Sequence, residues 1–448
     1  MKRRLEASGR FAIACLLASG CVALAQSTSN GEKWLASWST ALVIQPPPGS
    51  AAVTAQAQPS QAPQAPTPPP INLNNQTLRE IVHVSAGGAR VRVVLANTFG
   101  TAPLTIGAAH IALRDQGAKI KSVSGRALTF GGRASVTIPA GAVMLSDAAA
   151  VTVPALSDVA IDLFLPEDLT KSASPLTIHS GANQTNYLSA PGNHTGAPEL
   201  PVSGMLRSWI FLASVEVAAP QPVGAIVAFG DSITDGTRST ADANARWPDQ
   251  LARRLAASKG NVRAVLNTGI AANRVLGEIN APVFPFGFSA GVNALARFDR
   301  DVIAQTGAAD LIVLEGINDL GLAGHNPLPS SEDLIAAHQQ MIERAHAHNL
   351  KIFGATLLPF EGAAYWTQEG EAKRQAFNAW LKKGTSYDAL VDFDAVVRDP
   401  ANPTKMLPRY DSGDHLHPND AGYAAMGNAI DLQLFETAPG AKKLKAAR

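Results

Sequence analysis

The chain has 448 residues, 46% of them apolar and 16% charged. That is enough apolar content to bury a substantial core, which argues against a fibrous or disordered protein. Lysine and arginine total 37 against 36 for aspartate and glutamate, a formal charge of +1; the balance argues against a basic protein that grips nucleic acid or an anionic membrane.

The opening reads Met1-Lys2-Arg3-Arg4, then an apolar stretch from Phe11 to Leu24, then Ala23-Leu24-Ala25 before Gln26. A basic start, a short apolar run and a small-x-small ending predict a signal peptide over residues 1–25 and a secreted or periplasmic product. The apolar run is too short to span a bilayer, and no later segment is longer. Lipid attachment at Cys21 is the alternative, although Leu17 sits one place too early for it. Both cysteines, Cys15 and Cys21, fall inside this leader. The mature chain is therefore expected to hold no disulfide, zinc–thiolate site or cysteine nucleophile.

Residues 26–45 contain Trp34 and Trp38 in an alternating stretch that predicts one strand of the domain that follows. Residues 46–72 are a spacer or mobile loop: Pro46 to Pro70 carry nine of the 30 prolines and no charge, leaving little to bury. A proline-rich partner segment is the other reading of this stretch. Residues 73–217 predict an all-β sandwich. Its strand candidates include Ile81-Val82-His83-Val84, Val91-Arg92-Val93-Val94-Leu95, Ser135-Val136-Thr137-Ile138 and the run Val159 to Leu165, punctuated by Gly87-Gly88, Gly131-Gly132, Pro139 and Pro166. No catalytic pattern stands out there, so a chain beginning near Ala219 is expected to keep some turnover.

From residue 218 to 438 the texture is that of alternating strands and helices, with a tail at 439–448. Ala225-Ile226-Val227-Ala228-Phe229 is a continuous apolar run, as in a parallel strand buried on both faces. A helix from Trp247 to Ala257 follows, then strands at Val262 to Leu266 and Leu311 to Leu314. A helix capped by Ser331 and running to about His348 comes next. Strand Lys351 to Leu358, helix Glu371 to Lys382, strand Ala389 to Phe393 and helix Ala421 to Leu432 complete the series. Such alternation predicts a three-layer α/β domain, with ligands bound beyond the carboxyl ends of its strands.

Three clusters fall at that edge: Gly230-Asp231-Ser232 after the first strand, Gly316-Ile317-Asn318-Asp319 after the third, and Asp414-His415-Leu416-His417 before the last helix. A serine hydroxyl needs an adjacent base, an imidazole titrates near neutrality, and a carboxylate can steady its other N–H. Ser232, His417 and Asp414 therefore make a candidate catalytic set. The three-residue spacing to Asp414 selects His417 over His415. A metal site from Asp411, Asp414, His415 and His417 lacks a second ligand cluster, and no metal or cofactor is expected.

The order and content of these clusters resemble the SGNH (GDSL) hydrolases, esterases and lipases with a flavodoxin-like three-layer α/β/α sheet. The longer strings 228–236 and 411–419 resemble a secreted bacterial branch with an N-terminal β-domain. The resemblance implies an oxyanion hole from the Ser232 N–H, a glycine N–H and the Asn318 amide. The family's donor glycine stands five residues after the asparagine, and after Asn267 that place is Ala272. Alanine keeps the N–H but resists positive φ, so a negative φ is expected at Ala272, with Gly269 as the fallback donor.

Gly287-Phe288-Ser289-Ala290-Gly291 matches the G-x-S-x-G elbow formally. The stretch before it holds Pro282 and Pro285 and no alternation, so a loop is predicted. Phe284, Phe286, Phe288, Tyr365 and Trp366 are candidates for lining an apolar pocket. The expected function is a serine esterase acting on small-molecule or polysaccharide esters through an acyl-enzyme. The alternatives are a carbohydrate acetyl esterase and a carbohydrate-binding protein with a degenerate hydrolase domain. The sequence leaves the oligomeric state open.

Overall fold

The computed structural model describes residues 33–47, 71, 73–219, 222–258, 262–277, 290–321, 328–384 and 386–436. The leader with Cys21, most of the proline-rich stretch, the tail at 439–448, and Phe284, Phe286, Phe288 and Ser289 lie outside the described residues.

The N-terminal half is antiparallel, as its sequence texture predicts. One sheet of six strands runs in the order Val202–Leu206, Asn186–Pro191, Asn74–Val84, Ser157–Asp168, Ala108–Leu113, Arg126–Leu128. A second, of four, runs Lys33–Ser39, Leu212–Ala219, Arg90–Ala96, Val143–Leu145. A third joins Ser208–Ile210, Leu176–Ser180 and Val43–Gln45. In Arg90–Ala96 the period of two is visible: Val91, Val93 and Leu95 are fully buried, while Arg90, Arg92 and Val94 are not. These side chains meet Leu78, Val82, Val159, Ile161 and Leu163 of the larger sheet in one core. The alternating Trp34–Trp38 stretch does join the sandwich: Lys33–Ser39 pairs antiparallel with Leu212–Ala219.

The C-terminal half holds a five-stranded sheet in the order Val262–Gly269, Pro222–Gly230, Ala308–Leu314, Lys351–Ala355, Ala389–Val391, every pairing parallel. By sequence the order is 2-1-3-4-5, the flavodoxin-like arrangement. Ile226, Val227, Ala228 and Phe229 are fully buried in the central strand, and each large side chain there contributes roughly 1.5–3 kcal/mol through burial. Helices Trp247–Ala257 and Asp420–Ala429 pack together, as do Ser331–Ala347 and Gln368–Lys382. None of the described helices is long and apolar enough to cross a membrane.

Several boundaries differ from the sequence reading, each for a local reason. The cap of Ser331–Ala347 is Ser330, whose hydroxyl accepts the Asp333 N–H while the Asp333 carboxylate returns a bond to the Ser330 N–H. Helix Gln368–Lys382 starts three residues before Glu371, because Thr367 Oγ1 accepts the Gly370 N–H. Strand Lys351–Ala355 stops short of Leu358, since the Leu357 N–H is taken by the Asn378 side chain.

In this strand order the direction of progression reverses between Pro222–Gly230 and Ala308–Leu314. A cleft is expected beyond their carboxyl ends. Ser232 and Asn318 stand there, one just past each strand.

Candidate active site

Gly230 ends the central strand where only glycine fits: a Cβ there would meet Thr234 Oγ1 at 2.2 Å and the Leu314 carbonyl oxygen at 2.5 Å. The chain then turns into the four-residue helix Ser232–Asp235. Asp231 caps it, its side chain accepting the Ile233 N–H at 2.9 Å, and Gly236 closes it in the left-handed region. This turn places Ser232 at the first helical position, 5% exposed, with no acceptor for its N–H among the described residues.

The loop before Asp420–Ala429 supplies the partners. Ser232 Oγ lies 2.8 Å from His417 Nε2, and His417 Nδ1 lies 2.8 Å from Asp414 Oδ2. The tautomer that donates Nδ1–H to the carboxylate leaves the Nε2 lone pair facing the serine hydroxyl. Asp414 Oδ1 accepts the N–H groups of His417 at 2.9 Å and Leu416 at 3.1 Å. Burial alone would raise the Asp414 carboxyl, but its hydrogen bond and charge interaction with His417 and those two N–H groups hold it far below the ordinary range. Arg238 adds an exposed contact, Nε donating to Asp414 Oδ2 at 3.0 Å. His415 sits apart from this chain of bonds, its Nδ1 paired with Asp411 at 2.6 Å.

The strand Val262–Gly269 and the residues after it bring in the second motif. Ala272 is in the left-handed region, φ +62°, so the expectation of a negative φ is wrong. The segment is held there from several directions. Asp319 carboxylate oxygens accept the N–H groups of Val275 at 2.8 Å and Leu276 at 2.9 Å. Asn273 donates to the carbonyls of Ala290 and Val292. These bonds over-determine the turn and carry the strain of a Cβ at positive φ. The Ala272 N–H meets no acceptor among the described residues. Gly269 is no fallback: its N–H is used by the Asn267 side chain at 2.9 Å.

Asn318 completes the group. Its Nδ2 donates to the Asn273 carbonyl at 2.9 Å, which leaves one amide N–H uncommitted, and its Oδ1 accepts from the Tyr365 hydroxyl at 3.1 Å. Tyr365 thereby fixes which way the amide faces. It also packs against Ala272 and Ala290. Sequence reading placed Tyr365 among pocket candidates and missed this role, which no local spacing signals. Trp366, like Tyr365, packs against the core of the α/β half.

Behind the site lies a buried cation that the sequence did not single out. Arg297 donates to the carbonyls of Gly230 at 2.9 Å and Thr268 at 2.7 Å and to Asn273 Oδ1 at 2.8 Å, and it pairs with Asp301 and Glu315. One side chain thus ties the ends of three elements. Burial raises Asp231 to about 7, the Ile233 N–H and Arg297 opposing and Asp319 adding to the rise; burial likewise raises Asp319 to about 6, against the Val275 and Leu276 N–H groups. Among the described residues no three His, Cys, Asp or Glu side chains are grouped to hold a metal ion.

The fold and the strand-end placement of these groups are those of a three-layer α/β domain with a serine, a histidine and a carboxylate at the carboxyl ends of its strands. Residues 228–425 match the family model of the GDSL-like Lipase/Acylhydrolase family, so this domain is similar to the SGNH/GDSL hydrolases. No curated protein matches the chain. Among solved structures, an aryl esterase of M. smegmatis is 17% identical, with 46% of this chain and 95% of that one covered and a TM-score of 0.36. A lipase/acylhydrolase of Enterococcus faecalis is 19% identical, covering 46% and 92%, TM-score 0.35. A carbohydrate esterase family 2 enzyme with a carbohydrate-binding domain, from Corynascus thermopiles, is 15% identical, covering 80% and 96%, TM-score 0.36.

The strain at Ala272 has a measurable consequence. In Ala272→Gly, relief of about 1–2 kcal/mol of left-handed strain is opposed by roughly 0.4–1 kcal/mol of added unfolded-state freedom and about 0.8 kcal/mol for the lost methyl. Stability should stay within about 1 kcal/mol by denaturant titration, and kcat should hold or rise. Ala272→Val puts a β-branched side chain at positive φ and should lose at least about tenfold in kcat. A valine variant as active as the parent would show that this turn is not held where the structure places it.

Proposed function

We propose that the protein is a serine esterase working through an acyl-enzyme, with Ser232 as nucleophile, His417 as base and Asp414 as the group that orients the imidazole. The observation that carries this reading is the continuous bond chain Ser232–His417–Asp414, 2.8 Å at each link. In acylation Ser232 Oγ attacks the ester carbonyl carbon while its proton passes to His417 Nε2. The carbonyl oxygen gains charge and is met by the Ser232 N–H, the Ala272 N–H and the uncommitted Asn318 N–H. Collapse breaks the bond to the alcohol, which leaves with the proton from His417. Water then attacks the acyl carbon, gives its proton to the same nitrogen, and the acid departs as Ser232 Oγ takes that proton back.

An intact bond chain supports an enzyme rather than a degenerate binding protein. For a polysaccharide substrate the β-domain would need a platform for sugar rings, yet none of the described Trp, Tyr or Phe residues is exposed. The reading therefore favours small soluble esters. Export is part of it, resting on the basic and apolar character of residues 1–25.

p-Nitrophenyl acetate should give a burst of nitrophenolate equal to the enzyme concentration where deacylation is slow, and an alkyl p-nitrophenyl phosphonate should add one covalent group at Ser232, read by peptide mass. A phosphonate adduct on any other residue would overturn the assignment.

A further inference from the structure

We propose that residues 179–185 of the β-domain are a working part of the catalytic site, with His179 and Asn183 acting as positioning residues for the helix that carries Ser232. The inference deepens the esterase reading and rests on it. His179 ends the buried part of strand Leu176–Ser180 and reaches across to the α/β half. Its Nδ1 is 2.7 Å from the Ala41 carbonyl oxygen and its Nε2 is 3.1 Å from Asp235 Oδ1. Both neighbours only accept, so both ring nitrogens carry protons and the ring is a cation held against the last residue of the Ser232–Asp235 helix. Trp209 covers it, ring centroids 5.5 Å apart.

The neighbouring residues continue the grip. Asn183 Nδ2 donates to the Gly236 carbonyl at 2.6 Å, the residue that closes the nucleophile helix, and lies 3.2 Å from Ser239 Oγ. Asp242 receives Gln184 Nε2 at 2.6 Å, the Thr185 N–H at 2.6 Å and the Thr185 hydroxyl at 2.7 Å, while its own N–H returns to the Asn183 carbonyl at 2.9 Å. Arg246 donates to the carbonyls of Ala182 and Asp235. The loop caught in this way, residues 236–242, touches the histidine side of the site with its other bonds: the Thr237 carbonyl accepts from Tyr423, Thr240 N–H donates to Asp420, and Arg238 pairs with Asp414. The β-domain thus braces the segment that joins the nucleophile to the acid–histidine loop.

The charge on His179 gives the brace a pH dependence. Burial lowers its pKa, but the charge and hydrogen bond of Asp235 and the Ala41 carbonyl outweigh burial and the opposing Arg246 and leave it raised above 6.5. The stabilisation is therefore complete below the ordinary imidazole value and is lost as pH rises through the folded-state value.

The test uses the full chain and two variants, His179→Gln and Asn183→Gly. Glutamine keeps one hydrogen bond and removes the charge. Glycine suits the left-handed φ of +48° at Asn183 and removes only the side chain. In both, kcat for p-nitrophenyl acetate and the rate of phosphonate labelling of Ser232 should fall about tenfold, with KM within threefold. The decline in kcat on the alkaline side should be absent from His179→Gln. Labelling and kcat equal to the parent in Asn183→Gly would overturn the brace, and it is decisive even where His179→Gln fails to fold. An alkaline decline that persists unchanged in His179→Gln would overturn the part played by its charge. A parent chain that the phosphonate does not label at Ser232 would instead overturn the esterase reading beneath it.

Discussion

Ser232→Ala should lower kcat for a simple ester by about 10⁶, the loss seen when a serine hydrolase loses its nucleophile. The hydroxyl is the only atom removed and Ser232 is nearly buried, so the melting temperature should stay within a few degrees. The Ser232 and Ala272 N–H groups and the Asn318 amide survive the change. Residual turnover above the uncatalysed rate, on the order of 10³, is therefore expected from the oxyanion donors alone. Ser289→Ala is the control. Its G-x-S-x-G string follows Pro282 and Pro285 in the sequence, a context that predicts a loop serine without a base, so kcat should remain within roughly tenfold. If Ser289→Ala lost more activity than Ser232→Ala, the nucleophile would be misassigned. The acid side of the profile offers a second check. Asp414 is held far below the ordinary carboxylate range, so it stays an anion throughout, and its contribution to stability persists until the pH drops below the usual carboxylate values. Substituting Asp414 by Asn should therefore cost activity at every pH rather than only in acid.

What the sequence made legible follows a physical rule. The buried run Ala225 to Phe229 can only be a strand covered on both faces, and motif residues beside its end can only face the cleft. Ser232, Asn318 and the Asp414–His417 spacing were therefore readable, because each sits a fixed few residues from an element the apolar pattern defines. Groups set by tertiary approach were not. Tyr365 meets Asn318 across 47 residues, Arg297 reaches Gly230 across 67, and His179 meets Asp235 across 56; no local spacing encodes such contacts. Ala272 failed for another reason. Alanine's intrinsic preference is for negative φ, but the hydrogen bonds that Asp319 accepts and Asn273 donates dictate the turn. The proposed brace from the β-domain is another contact set by tertiary approach. Its strands hold no catalytic pattern, yet the bonds from residues 179–185 mean that a chain beginning near Ala219 would lose the brace on its nucleophile helix. Under that proposal such a chain should turn over p-nitrophenyl acetate at least about tenfold more slowly than the parent, whereas turnover equal to the parent would remove the brace.

Asn318→Ala should lower kcat by about 10²–10³, some 3–4 kcal/mol of transition-state stabilisation. KM should change much less, because the donor meets charge that appears only as the carbonyl carbon becomes tetrahedral. The substitution also strands the Tyr365 hydroxyl and the Asn273 carbonyl, two buried groups, at a stability cost of roughly 1–3 kcal/mol each if no water replaces the amide. Stability must therefore be followed beside activity. Tyr365→Phe separates the two effects. It leaves the amide in place but frees it to rotate, so that Oδ1 rather than Nδ2 can face the site, and kcat should fall about tenfold with KM nearly constant. The double variant supplies the decisive number. If the tyrosine acts only by orienting the amide, Tyr365→Phe should cost nothing further in the Asn318→Ala background, giving a coupling energy of about 1.4 kcal/mol between the pair. Additive losses would mean that Tyr365 touches the substrate or the acyl group on its own account. No loss in Asn318→Ala alone would remove the amide from the oxyanion hole, leaving the backbone N–H groups of Ser232 and Ala272 to hold the charge between them.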